Sequence, residues 1–292
     1  MRATKIVLSL LAIALGAGLC FWLYFSLNVR ASDWETLLDG LSLPWCLAVF
    51  VLSGLLMVSG ALKWALLSRA MHGDGGKEPE DGFFFRQYLW QNWIGQFVPP
   101  SLAIVGGRAW ATRRMKGVAM LSGVGNGFLD QILELAFFVV LLPAAIFVLS
   151  GQGGWISFLL LSVAGVGVLA GIMWLGRRRL PAPLWRLFGL SLARVALTIL
   201  RLISGIYAFG LPIAALAVAA AAPVVSLLSL IPLTPANLGI AEWGWTGLLA
   251  LAGESALFAA LFALGFRLLV FIAQTLLLGL NEGYGFLFRK HM

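Results

Sequence analysis

Pro232-Leu233-Thr234-Pro235-Ala236-Asn237-Leu238-Gly239-Ile240-Ala241-Glu242 breaks the middle of an otherwise apolar segment, 212–253. A proline removes a backbone donor and disfavours helix in the residue before it, so one continuous helix cannot run through this stretch. In hydrocarbon, broken backbone survives only inside protein or beside a polar cavity. The segment therefore reads as two half-helices forming a re-entrant hairpin. A second segment, 83–116, has the same form. Its centre is Gln91-Asn92-Trp93-Ile94-Gly95-Gln96-Phe97-Val98-Pro99-Pro100, followed by Val105-Gly106-Gly107-Arg108-Ala109-Trp110.

Around the two breaks lie uninterrupted apolar runs at 6–27, 45–68, 118–149, 155–175, 184–210 and 255–280. Each is near or above the ~20 residues a spanning helix needs. The composition agrees: 61% of residues are apolar, 11% are charged, and the mean hydropathy is +0.97. A soluble chain carries about a quarter charged residues. The expected fold is an all-α polytopic membrane protein, one transmembrane domain over 1–292, with about six spanning helices and two proline-broken re-entrant hairpins. Met1–Lys5 has the charged start of a signal peptide. The run behind it, Ile6–Leu27, has no small-residue cleavage site and reads as a retained first helix.

Lys and Arg set the orientation. With Met1–Lys5 in the cytoplasm, Arg69, Lys77, Arg86, Arg108, Arg113, Arg114, Lys116, Arg177, Arg178, Arg179, Arg186, Arg289 and Lys290 fall on the same side. The opposite side keeps Arg30, beside Asp33, Glu35 and Asp39. The positive-inside rule then puts both termini in the cytoplasm. Trp22, Trp34, Trp45 and Trp155 would mark the outer interface, and Trp64, Trp174 and Trp185 the inner one. The first half reads helix, helix, hairpin from the cytoplasm, helix; the second repeats this from outside. That implies inverted repeats, 1–150 and 151–292, an arrangement found in transporters.

The net charge of +8 suggests a nucleic-acid partner only until the charges are placed. They sit in loops between apolar runs, as topology control requires, and no nucleic-acid partner is expected. Cys20 and Cys46 are too few for a disulfide framework or a zinc site. His72 and His291 read as solvated loop residues, so neither a metal nor a cofactor is expected. No P-loop, HExxH, GxSxG or aspartate run is present, which argues against an enzyme.

Ionisable residues inside spans are costly unless paired or hydrated. Asp130 and Glu134 lie four apart and share one helical face; Arg194 and Arg201, seven apart, share another. Arg267 falls near the middle of the last span, and Glu242 just beyond the second break. Two readings stand. The groups hold the bundle together as ion pairs, Arg267 with Glu242 or Asp130 with Arg194. Alternatively, the arginines line a hydrated cavity and bind a phosphate, for which the guanidinium fork is suited. Lys63, near the inner end of its span, is expected to snorkel to the interface.

The first break adds Asn92 and Gln96, four apart on one face, and Gly106-Gly107 before Arg108. Amides, glycines and an arginine suit a place where backbone N–H groups meet an anion. Glycine pairs also serve close helix contacts, and the amides also serve as packing glue. In the second break, Asn237 and Gly239 sit where a half-helix would start.

Together the two breaks resemble the flippase-like transmembrane domain of lysylphosphatidylglycerol synthases and its stand-alone relatives. The residues that carry the likeness are Asn92, Pro99-Pro100, Gly106-Gly107, Arg108 and the run Arg113-Arg114-Met115-Lys116-Gly117. Asp130, then Pro232, Pro235, Gly239, Glu242 and Arg267 complete it. The chain departs from the pattern where an acidic residue is missing between the glycine pair and Arg108, and where Gln131 stands for an arginine. The resemblance implies movement of a lipid between the leaflets of a bacterial plasma (inner) membrane, the lipid being an anionic or aminoacylated phospholipid or a polyprenyl-linked carrier. No synthase domain is expected, and hence no aminoacylation. Arg108, Arg194, Arg201 and Arg267 would offer the phosphate a path, with Asn92, Gln96, Asp130, Glu134, Asn237, Gly239 and Glu242 lining it. Pro99, Pro100, Gly106, Gly107, Pro232 and Pro235 would let the hairpins close. Rival readings are a membrane enzyme acting on a lipid phosphate, with Asp130, Glu134 or Glu242 as acid or base, and a non-transporting partner of a glycosyltransferase or other lipid-modifying enzyme.

Overall fold

A computed structural model describes residues 2–72, 81–113, 120–176, 184–229 and 234–289. Pro232, Lys77, Arg114, Lys116, Arg177, Arg178, Arg179, Lys290 and His291 lie outside the described residues. The chain is all-helical among the described residues, in this order: α1 Arg2–Ser26, α2 Ala31–Asp39, α3 Leu43–His72, α4 Asp81–Ile94, α5 Pro100–Thr112, α6 Met120–Leu149, α7 Trp155–Gly176, α8 Leu184–Ala208, α9 Ala215–Leu228, α10 Ile240–Leu251 and α11 Ala256–Arg289. Five of them are long and apolar enough to cross a membrane: α3, α6, α7, α8 and α11. The remaining expected span, 6–27, is helical as α1, and its described side chains form an apolar stretch, Ala14–Ser26.

Both proline-rich stretches break the helix. α4 ends at Ile94, Pro99 stands outside the next helix with an extended ψ of 125°, and Pro100 opens α5 at a position where its missing N–H is harmless. α9 and α10 are separated by a 3-10 turn, Pro235–Asn237. The sequence pattern did not reveal α2. Its first turn is closed by the Asp33 carboxylate, which accepts the Arg30 N–H at 2.7 Å, and Leu37 is buried in the main core.

The exterior is apolar. On α7 the large side chains Trp155, Ile156, Leu159, Leu160, Val163, Val168, Ile172 and Leu175 are all exposed. No surface of that kind is stable in water. The interior is built from small residues. On α9, Ala217 and the run Ala219–Ala222 are buried, two of them against Ala144 of α6. Lipid tails are as apolar as leucine, so helices in a membrane associate through close packing, and small residues permit it.

The packing follows a paired pattern. α3 lies along α8. α4 packs on α11 and α9 on α6; α5 packs on α6 and α10 on α11. α1 and α7 stand outside this pairing, α1 beside α10 and α7 along α6. The consequence for the site is that the tips of both broken segments point into the same interior region.

Candidate functional site

The two breaks meet at a cavity of about 230 Å³. Gly95, Gln96 and Pro100 line it from the first break, Ser229, Ala236 and Asn237 from the second, and Arg201 and Arg267 from the spans. Residues more than a hundred positions apart in sequence thus share one polar pocket inside an apolar bundle.

The turn at the second break is conformationally costly. Ala236 (φ 52°), Asn237 (φ 55°) and Gly239 (φ 83°) all have left-handed backbone. Asparagine and glycine tolerate that region, but an alanine there costs about 1–2 kcal/mol. Tertiary contacts hold it. Arg267 Nη1 donates to the Ala236 carbonyl at 3.0 Å, and Asn237 Nδ2 to the Ser229 carbonyl at 2.6 Å. Trp243 Nε1, on the following helix, donates to the Leu19 carbonyl of α1 at 3.0 Å. Strain held by surrounding contacts is characteristic of functional sites.

Glu242 and Arg267 form an ion pair at 2.5 Å, and Glu242 is only 1% exposed. Its other oxygen accepts the Gly239 N–H at 2.7 Å, so one carboxylate both caps α10 and holds α11. Arg201 is different. Among the described residues it has no carboxylate partner; its Nη1 reaches Ser53 Oγ only at 3.5 Å, and its Nε is buried without a hydrogen bond. Its guanidinium stands over the Phe266 ring, 5.7 Å from the centroid. The pocket therefore carries one positive charge that its own residues do not cancel. Asn237 Oδ1, also buried and unpartnered, is an available acceptor. Gln96 donates to Gln274 Oε1 at 3.0 Å and ties the first tip to α11.

Arg108, Asp130, Glu134 and Arg194, also expected along a phosphate path, form a second cluster. Asp130 does not pair with Arg194. Instead it joins Arg108 and, at 2.6 Å, Lys63. Glu134 takes Arg194 at 2.5 Å and Lys63 at 3.3 Å. Lys63 corrects the expectation of snorkelling: it is 0% exposed and faces α6, where two carboxylates compensate it better than the interface could. Trp64 beside it is likewise 0% exposed and marks no interface; the Arg108 guanidinium lies 5.3 Å from its ring centroid. The exposed Trp22, Trp45, Trp155, Trp174 and Trp185 do sit on the outside of the bundle.

Glycines create this second cluster. Gly123, Gly127, Asp130 and Glu134 fall on one face of α6, and a Cβ on Gly127 would come within 2.9 Å of the Val105 Cα on α5. That close approach brings Arg108 to Asp130. Gly106 and Gly107 lie inside α5, where their N–H groups belong to the helix, and Gly107 packs against the Gln91 side chain. Asn92 Nδ2 turns back to the Tyr88 carbonyl of its own helix at 2.8 Å. Gln131 Nε2 donates to the Ser101 carbonyl at 3.2 Å, binding α6 to the start of α5. Ser53, Phe266 and Gln274 were missed by the sequence reading, because single polar or aromatic residues in a span carry no local signal.

The chain matches no protein-family model and no curated protein.

Proposed function

We propose that the protein is a lipid transporter that carries an anionic head group between leaflets, in line with the resemblance to the flippase-like domain. The observation that carries this reading is Arg201: a cation without a carboxylate partner among the described residues, on a polar cavity where both broken segments end. A charge inside a membrane protein is costly, and where it persists unpaired it marks an ion or substrate path. A guanidinium is suited to a phosphate oxygen pair, while Arg267, held by Glu242, stays poised beside it. Acyl or polyprenyl chains would remain in the bilayer. The paired packing of α3 with α8, and of α4 on α11 with α9 on α6, supports inverted repeats in which the two hairpins enter from opposite faces. In this reading the membrane is a bacterial plasma membrane with both termini in the cytoplasm, and a lipid-modifying enzyme or glycosyltransferase would supply or consume the lipid.

The test is leaflet exchange of head-group-labelled anionic lipids in vesicles containing the purified protein, with Arg201→Ala and Arg267→Ala alongside. Exchange by the parent that Arg201→Ala abolishes, with the fold intact, is the expected result. If no anionic lipid tried is exchanged, the transporter reading is wrong.

A further inference from the structure

The cluster around Arg108 holds polar groups that neither its ion pairs nor the tip cavity accounts for. Among the described residues, Arg108 Nε and Trp64 Nε1 are buried N–H donors without a partner, and the side-chain amides of Gln91 and Asn126 are unpartnered at both atoms. Trp64, Arg108 and Asn126 are 0% exposed and Gln91 is 3% exposed. These residues come from four helices that pack on one another around Arg108, α3, α4, α5 and α6. Its guanidinium stands over Trp64, its Nη1 donates to the Asn126 carbonyl at 3.1 Å, and Gly107 next to it lies against the Gln91 side chain.

Charge points the same way. Among the described residues, Lys63, Arg108 and Arg194 face only Asp130 and Glu134. Glu134, the most exposed member, takes Arg194 at 2.5 Å and Lys63 only at 3.3 Å, so the uncancelled charge is concentrated on the interior pair, Lys63 and Arg108, which share Asp130. A buried charge without a counter-charge is among the most destabilising features a fold can hold. Water would satisfy the open hydrogen bonds but bring no charge.

We propose that this cluster binds a monovalent anion of halide size. Arg108 Nε–H, Trp64 Nε1–H and the amide N–H groups of Gln91 and Asn126 are its donors, and water completes the amide oxygens. The site is distinct from the tip cavity. Arg194 and Arg201 mark the two places on α8, and seven residues separate them by about 10 Å along the helix axis. The inference does not depend on the transport reading.

The experiment is equilibrium dialysis of radiolabelled chloride against the purified protein held in gluconate, with the thermal unfolding midpoint followed in parallel. Saturable binding of one chloride per chain is expected, with bromide competing and the midpoint rising with the logarithm of chloride concentration. Trp64→Phe removes one donor and keeps the ring, so it should weaken binding by about tenfold. Two results would overturn the assignment. In one, chloride binding does not saturate, or chloride and gluconate act alike at matched ionic strength, and water alone satisfies these groups. In the other, Arg201→Ala abolishes chloride binding while Trp64→Phe does not affect it, which puts the anion in the tip cavity. Where Trp64→Phe fails to fold, Arg201→Ala still decides the matter, since chloride binding that survives the loss of Arg201 does not belong to the tip cavity.

Discussion

Glu242 and Arg267 are joined at 2.5 Å across α10 and α11, and the same carboxylate caps α10 through the Gly239 N–H. The pair therefore closes the turn that brings the second break to the cavity. Breaking a buried pair by removing one partner costs about 3–5 kcal/mol, because the other charge is left uncompensated. Glu242→Gln is expected to lower stability by about that amount. Arg267→Met should do the same, and the double variant should lose less than the two separate losses combined. Unfolding midpoints of the three proteins in detergent check this. Additive losses would mean that the two residues act independently.

Arg201→Ala is expected to behave in the opposite way. No carboxylate among the described residues depends on Arg201, so stability should stay within about 1 kcal/mol of the parent or rise. Lipid exchange should fall at least tenfold. A variant that unfolds together with its loss of exchange would assign Arg201 to the scaffold instead.

Lys63→Ala separates the buried position of Lys63 from an interfacial one. An interfacial lysine would be lost with little effect. Here the loss empties a fully buried position and removes the Lys63 contact to Asp130 at 2.6 Å, and a destabilisation of about 2–4 kcal/mol is expected. A change below 1 kcal/mol, measured by thermal or denaturant unfolding, would contradict the observed geometry.

Gln96 and Gln274 hydrogen-bond at 3.0 Å and hold the first tip against α11. If transport requires that tip to move, fixing it should stop exchange. In a background with Cys20→Ser and Cys46→Ser, the double variant Gln96→Cys, Gln274→Cys is expected to exchange lipid until a short bis-thiol reagent cross-links it, and then to stop. Equal rates in both states would show that the first tip does not gate the cavity.

Most of the architecture could be read from the sequence. Long apolar runs placed five spanning helices within a few residues, and the two proline stretches located both breaks, because hydrophobicity over twenty residues and a missing N–H are local properties. Glu242 and Arg267 were recognised as one of the candidate pairs. α2 escaped, being nine residues long with no extended apolar pattern.

Partner choice inside the bundle was decided only by the tertiary structure. The seven-residue spacing of Arg194 and Arg201 puts them on one face, yet one is bound by Glu134 and the other lines the cavity, unpaired with any carboxylate of the described residues. Asp130 and Glu134 also share a face, and between them they take three cations from three different helices. Lys63 looked interfacial from its position near the end of an apolar run, and it is buried because α6 presents two carboxylates to it. The physical reason is common to all of these. Periodicity specifies which residues of one helix lie together, whereas the facing helix depends on bundle order and on where glycines allow close approach. In a membrane the lipid-facing and protein-facing sides are both apolar, so hydrophobicity along the chain does not distinguish them.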